Sequence, residues 1–308
     1  MEPAPYHSLL ADGPDGGAAF WTTASDGVAL RVGYWPGGTD GTVLIFNGRT
    51  EYIEKYGRVA KDFAAAGLAT ATCDWRGQGM SDRVATDRHV GHVADFGDYQ
   101  KDVAAFLSAV DALGLPEPYY LIGHSMGGCI GLRALNQGLP VKKAVFSGPM
   151  WGIGALKTLG PVATLLLEGA AMLGMGLAYA PATNGKSYVL KQRFDGNALT
   201  HDRATWAWLQ SHVRADDRLG LGGPSMHWLR EAKREMAMLG KTHQVPCPTL
   251  ALVGTEDKVV VPENVLGYTA TWTKGRAEMI DGARHEPMME APAIREVFMS
   301  KTIAHFTG

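Results

Sequence analysis

Tyr119-Tyr120-Leu121-Ile122-Gly123-His124-Ser125-Met126-Gly127-Gly128 is the stretch whose reading decides the fold. An apolar run of strand length stops at Gly123, and a small-residue segment suited to begin a helix starts at Met126. Ser125 therefore falls on a very short strand-to-helix turn, the arrangement called a nucleophile elbow. Such a turn forces a strained backbone angle on the serine. Glycines are needed at 123 and 127 because a Cβ at either would strike the neighbouring strand or helix. The Ser125 hydroxyl is thereby exposed, and the Met126 N–H, in the first turn of the helix, points toward negative charge developing on a substrate oxygen.

Strand and helix alternate on both sides of the elbow. Upstream, 42–46 reads as a buried strand, 53–66 has helical spacing, 68–74 is again a strand and 96–113 again a helix. Downstream come a helix over 126–137 and a strand over 143–147. Alternation of this kind predicts an α/β fold, a mostly parallel sheet covered on both faces. The chain opens differently. Residues 20–25 and 28–36 read as two strands joined at Asp26-Gly27, a two-residue hairpin signal, so the first pair is expected to be antiparallel. Residues 1–19, with Gly13-Pro14-Asp15-Gly16-Gly17 and no periodicity, read as a loosely attached arm.

After Gly148-Pro149 the alternation lapses until an unmistakable buried strand, Thr249-Leu250-Ala251-Leu252-Val253, restores it. The sequence therefore divides into a core in two parts, 1–149 and 225–308, with 150–224 as a helical cap between them. A helix over 225–239 is expected to lead back to the core. Beyond 248–254 come a helix over 262–273, a strand over 277–280 and a helix over 291–306. The intervening segment's Met150, Trp151, Met172, Met175, Trp206, Trp208, Met226 and Trp228 mostly suit the lid's own small core, with some lining a pocket, because flexible methionines suit acyl chains. Residues 161–181 approach transmembrane length, but Glu168 interrupts them and no basic flanks are present, so an interfacial or substrate-facing role fits better than spanning.

The 308 residues suffice for a large core, and a formal net charge of −2 shows no basic stripe, which argues against nucleic-acid binding. Cys73, Cys129 and Cys247 are odd in number and far apart, which suits reduced thiols. The amino terminus lacks the basic start and apolar core of a secretory signal. A cytoplasmic or membrane-peripheral location is the expectation.

Serine is a weak nucleophile and needs a base held by a third group, and in open parallel sheets such groups gather beyond the carboxyl ends of strands. Asp257 lies just past the 249–253 strand in Gly254-Thr255-Glu256-Asp257-Lys258, with Glu256 as its competitor for the orienting role. His285 lies just past the following strand in Asp281-Gly282-Ala283-Arg284-His285-Glu286. The order Ser125, Asp257, His285 is the one this architecture expects. A second oxyanion donor should come from the loop after the 42–46 strand, Asn47-Gly48-Arg49-Thr50-Glu51, with the Arg49 N–H as partner of Met126. Asp74-Trp75-Arg76-Gly77-Gln78-Gly79-Met80-Ser81 reads as scaffold, with Asp74 and Arg76 tying loops together. His124 reads as packing beside the serine. His89 and His92 have metal-like spacing but no third ligand nearby, so no metal is expected. Gly185-Lys186-Ser187 lacks the glycine and preceding strand of a phosphate-binding loop.

These motifs resemble the α/β-hydrolase superfamily over nearly the whole chain. Gly-His-Ser-Met-Gly-Gly, Asp-Trp-Arg-Gly-Gln-Gly-Met-Ser and Gly-Thr-Glu-Asp are similar to the branch of monoacylglycerol lipases and bacterial lysophospholipases. Gly48-Arg49-Thr50-Glu51-Tyr52-Ile53-Glu54-Lys55-Tyr56 is similar to the lysophospholipase L2 group, and Asn47-Gly48 stands where glyceride lipases usually carry His-Gly. The resemblance implies a serine esterase with a cap, needing no cofactor, acting on an ester with one long acyl chain and making membrane contact, if any, through the cap. Acyl transfer from the same acyl-enzyme, and a non-catalytic scaffold that binds lipid or protein, are the rival readings.

Overall fold

The computed structural model describes residues 1–308. Its frame is one eight-stranded sheet formed by β1 (Ala18–Thr23), β2 (Ala29–Trp35), β3 (Thr42–Phe46), β4 (Ala69–Cys73), β5 (Tyr119–His124), β6 (Lys143–Ser147), β7 (Thr249–Gly254) and β8 (Gly275–Ile280). The spatial order is β1-β2-β4-β3-β5-β6-β7-β8. β1 and β2 are antiparallel, β2 is antiparallel to β4, and every later pairing is parallel. The parallel part exists because the chain returns to each next strand through a helix: α2 (Gly57–Ala65), α3 (Tyr99–Ala112), α4 (Met126–Asn136) and α10 (Pro262–Thr269), counting in chain order from a short α1 (Ser8–Ala11), with α11 (Pro292–Thr307) packing on the sheet after the last strand.

Side chains alternate across the central strands and so build two cores. Leu44 and Phe46 of β3 face a cluster that includes residues of α3, α4 and the return helix α9 (Met226–Leu239). Val43 and Ile45 face the other cluster, with Val59 and Phe63 of α2 and Phe298 and Phe306 of α11. All five β3 residues are buried, as a strand covered on both faces requires.

Two expectations are corrected. The first hairpin turn holds three residues, 25–27: Ala24 N–H still donates to the Val28 carbonyl at 2.9 Å, and Gly27 adopts φ +87° to close the turn. The amino-terminal segment is no loose arm. The Ala4 and Trp21 N–H groups donate to the Ala19 and Glu2 carbonyls, the Trp35 indole donates to the Tyr6 hydroxyl at 2.7 Å, and Ala11 is fully buried. A glycine-rich sequence concealed this, because Gly13 and Gly17 lie so close to Trp35 that a Cβ at either would strike the indole.

Between β6 and β7 the chain leaves the sheet to form α5 (Gly154–Leu159), α6 (Pro161–Met172), α7 (Tyr188–Lys191) and α8 (Arg203–Ala215) before α9 leads back. We propose residues 150–224 as the cap and the flanking 1–149 and 225–308 as the two parts of the core. Ala163 and Leu167 form the buried face of α6, packed toward α9, and Glu168, the charge that interrupts the apolar run, pairs with Arg230 at 2.7 Å. No helix is long and apolar enough to cross a membrane.

The sheet's antiparallel edge is fastened by buried charge. Arg31 of β2 has no exposed surface and is held between Glu54 and Asp74, each at 2.8 Å. Asp74 also accepts the Met80 and Ile53 N–H groups, while Arg76 pairs with Asp102 and Asp26, so both residues act as scaffold. Breaking such a buried cluster from one side strands uncompensated charge. Arg31→Met is expected to lower unfolding free energy by about 3–5 kcal/mol in urea titration.

Candidate active site

β5 ends at His124 and α4 begins at Met126, leaving Ser125 alone in the turn with φ 50° and ψ −117°. A side chain at 127 would collide with the Phe46 carbonyl at the end of β3, and one at 123 would lie 2.8 Å from the Phe146 ring. The two glycines therefore let β3, β5 and α4 approach closely enough to form the elbow. Ser125 N–H donates to the Ser147 carbonyl at 3.1 Å, which pins the turn to β6.

Ser125, Asp257 and His285 meet. His285 Nε2 lies 2.9 Å from Ser125 Oγ, and its Nδ1 lies 2.8 Å from Asp257 Oδ2. The other Asp257 oxygen accepts the N–H groups of Val259 and Val260 at 2.8 and 3.1 Å, so the carboxylate is fixed from the backbone. With Asp257 acceptor-only, Nδ1 carries the proton and Nε2 is left to accept from the serine hydroxyl. Glu256 does not compete: its side chain is 54% exposed and lies 3.3 Å from His201. Gly148, at the end of β6, had no signal in the sequence. A Cβ there would stand 3.2 Å from Asp257 Oδ2 and 3.3 Å from His285 Nδ1, so it floors the acid–histidine pair.

Burial alone would lower the His285 pKa, but the Asp257 charge and hydrogen bond outweigh it, helped by Glu286 and Glu51, and leave it raised. Asp257 behaves conversely: burial would raise it, and the imidazole charge and hydrogen bonds hold it low. His124 is lowered by burial, stays neutral beside the relay, and is fixed by Ser147 at 2.9 Å with its ring centroid 5.1 Å from that of His285.

Around the serine, the N–H groups of Arg49 and Met126 donate to no protein acceptor, whereas those flanking Arg49 do. Gly48 N–H donates to Glu51 and Thr50 N–H to Gln78 Oε1 at 3.3 Å, and Thr50 takes φ 69° to allow it. The loop is thus clamped on either side of one free donor. The clamp was not legible in the sequence. Glu51 also accepts from Lys55 Nζ at 2.6 Å and Tyr56 hydroxyl at 2.5 Å, and Lys55 reaches Glu286 at 2.7 Å. The only hint was charge at 51, 54 and 55 beside an apolar strand, which reads as an exposed helix start but is wholly buried. Glu51, His124 and Glu286 could bring ligand atoms within 4.8 Å of one another, but the Lys55 ammonium already supplies the cation between the carboxylates.

A cavity of about 290 Å³ opens above the serine, lined by His285, Met150, Ile153, Trp228, Leu229 and Val260 among others. Of the residues between β6 and β7 expected to face a pocket, Met150 and Trp228 do. Met172 and Met175 face solvent, and Trp151 packs in the core against Phe146 and Tyr268. The arrangement can take a proton from Ser125 while it attacks a carbonyl and can offer two N–H groups to the resulting oxyanion.

The family model described as Hydrolase_4, serine aminopeptidase S33, matches residues 37–292. The chain is 30% identical over 267 residues to the probable lysophospholipase L2 of Haemophilus influenzae, covering 86% of this chain and 82% of that protein. It is 32% identical over 278 residues to lysophospholipase L2 of Escherichia coli K12, covering 87% and 80%. Among solved structures, a soluble variant of monoglyceride lipase from Saccharomyces cerevisiae in complex with a substrate analog superposes with TM-score 0.71 at 21% identity, covering 93% of this chain and 95% of that one, which establishes the shared fold.

His285 must be neutral to accept the serine proton, and its protonation is favoured above the ordinary imidazole value of 6.5. Activity therefore falls as pH drops through the raised pKa, and the acid limb of kcat/KM, measured with a neutral ester, is expected to have its midpoint above 6.5.

Proposed function

This chain belongs to the Hydrolase_4 (serine aminopeptidase, S33) family of the α/β-hydrolases, in the lysophospholipase L2 branch, and from that membership we propose that it cleaves single-chain lipid esters through an acyl-enzyme on Ser125. It is a serine ester hydrolase of the lipase kind. The observation that carries the finer reading is the continuous relay Asp257–His285–Ser125 opening into an apolar cavity. His285 would take the Ser125 proton as Oγ attacks the ester carbonyl, and Asp257 would orient and stabilise the imidazolium. The Arg49 and Met126 N–H groups would hold the oxyanion until the protonated histidine returns its proton to the departing alcohol. Water, deprotonated by His285, would then release the fatty acid. No cofactor enters any step.

The cavity's size supports one acyl chain over two. Its volume of about 290 Å³ lies at the small end of ligand pockets. The cap supports delivery from a lipid surface: Leu165, Met172 and Leu173 on and just after α6 are 74%, 88% and 75% exposed, while the opposite face of that helix is buried. Apolar residues clustered like this on an exposed helix suit an interfacial contact.

A hydrolysis panel of lysophospholipid, monoacylglycerol, p-nitrophenyl butyrate and a peptide with a free amino terminus tests the reading. The single-chain lipid esters should be cleaved best, Ser125→Ala should lose turnover while unfolding at nearly the wild-type temperature, and an added acceptor alcohol should not divert the acyl group. Preferred peptide cleavage, or dominant alcohol ester product, would displace it. Leu165→Glu with Leu173→Glu is expected to weaken co-sedimentation with phospholipid vesicles severalfold, and unchanged sedimentation would remove the cap from that role.

A further inference from the structure

Two cavities meet at Arg49 and Tyr188. The first is the apolar one above Ser125; the second, of about 270 Å³, is polar, lined by Arg49, Lys186, Lys191, Asn184 and Gln192 among ten residues, none of them acidic. We propose that this second pocket is a phosphate subsite, in which the Arg49 guanidinium, with Lys186 and Lys191, holds the phosphodiester of a lysophospholipid whose ester carbonyl lies at Ser125. The assignment rests on the ester-hydrolase reading above and narrows its substrate to esters carrying an anionic head.

The first observation is an unpaired cation. Arg49 Nη1 donates to the Gly222 carbonyl at 2.8 Å and the guanidinium carbon lies 5.7 Å from the Trp228 ring centroid, but no protein carboxylate pairs with it. Its other N–H groups have no protein acceptor. Arg31 and Arg76, the two arginines with less exposed surface, are matched by two and three carboxylates respectively. Arg49 is half-buried, and a guanidinium partly withdrawn from water without an anion is less costly when a ligand supplies one. Burial lowers its pKa to about 10, so it stays charged at neutral pH. Lys186 and Lys191 are likewise free of carboxylates, Lys191 reaching only the Ala182 carbonyl at 3.0 Å, and the Gln192 side-chain amide makes no hydrogen bond to the protein.

The second observation is spacing. Carbonyl carbon and phosphorus in a lysophospholipid are six bonds apart, about 7 Å when extended, and five bonds of arginine side chain carry Cζ about 6 Å from its own Cα. One residue can therefore offer its backbone N–H to the ester oxygen and its side chain to the phosphate. A guanidinium fork matches phosphate oxygens, and the two ammonium groups add charge without fixed geometry. The pocket holds no carboxylate to receive a choline ammonium, so a headgroup with net negative charge is favoured.

The test compares kcat/KM for 1-palmitoyl lysophosphatidylglycerol and 1-palmitoylglycerol, which share an acyl chain and differ in the phosphate. Arg49→Gln should lower the ratio of the first to the second by roughly 10- to 100-fold, and Lys186→Gln with Lys191→Gln by severalfold. Equal loss on both esters would overturn the subsite, since Arg49 would then act only through its loop. Calorimetry on Ser125→Ala provides a readout independent of turnover: glycerol 3-phosphate should bind and should cease to bind when Arg49→Gln is added. Inorganic phosphate binding as tightly as glycerol 3-phosphate would assign the pocket to the free ion and overturn the lipid reading. Wild-type enzyme that cleaves neither ester would sink the ester reading alone, because glycerol 3-phosphate binding still reports on the subsite.

Discussion

The backbone of Ser125 is held where a residue with a side chain does not rest, at φ 50° and ψ −117°. Left-handed backbone of this kind costs a non-glycine residue on the order of 1–3 kcal/mol and persists only where its surroundings over-determine it. Those surroundings are the parallel sheet. β5 lies between β3 and β6, Ser125 N–H is tied to β6, and α4 can press against the end of β3 because residue 127 has no side chain. Release of the turn would cost the Ser125–Ser147 hydrogen bond and the close approach of α4 to the end of β3.

This constraint dictates the remaining placement. Parallel strands end on one edge, and the loops after β3, β5, β6, β7 and β8 therefore open side by side. They contribute Arg49, Ser125, Gly148, Asp257 and His285 respectively, five positions spread from 49 to 285 in sequence. The cap closes over that edge and is fastened to it: His285 and Glu286 N–H groups donate to the Ala198 and Leu199 carbonyls, so the histidine loop and the cavity roof share hydrogen bonds.

Most of this frame was legible because it is local. β3 and β6 lie where their apolar runs lie, and the elbow shows itself in ten consecutive residues. Candidate partners for the serine could be found among the polar residues just beyond each late strand. Whatever depends on contacts distant in sequence escaped. Nothing near residue 31 indicates that its guanidinium will be sealed between Glu54 and Asp74, and nothing near Gly13 announces an indole from β2. The run Glu51–Lys55 carries charges that a sequence pattern assigns to solvent, yet the fold buries them by pairing each with a partner already desolvated. Helix α10 stops at Thr269 instead of reaching 273, because Trp272 leaves the helical path to pack beside Trp151 and to donate its indole N–H to the Thr242 carbonyl.

The buried cluster under the oxyanion loop reconciles two opposed electrical demands. In the proposed reaction a tetrahedral intermediate would take hydrogen bonds from the Arg49 and Met126 N–H groups, while the imidazolium formed with it would need negative potential nearby. Glu51 serves both: by accepting the Gly48 N–H it sets the loop, and with Glu286 it favours protonated His285. Two carboxylates so close would ordinarily drive one to take up a proton. Lys55 bonds to both, at 2.6 and 2.7 Å, and its charge holds Glu51 ionised against the burial that opposes it. His124, kept neutral by burial, fills the space beside the relay without adding a charge to compete with the imidazolium. Arg49 stands outside this balance: its guanidinium makes no ion pair, bonds to the Gly222 carbonyl, and borders both cavities.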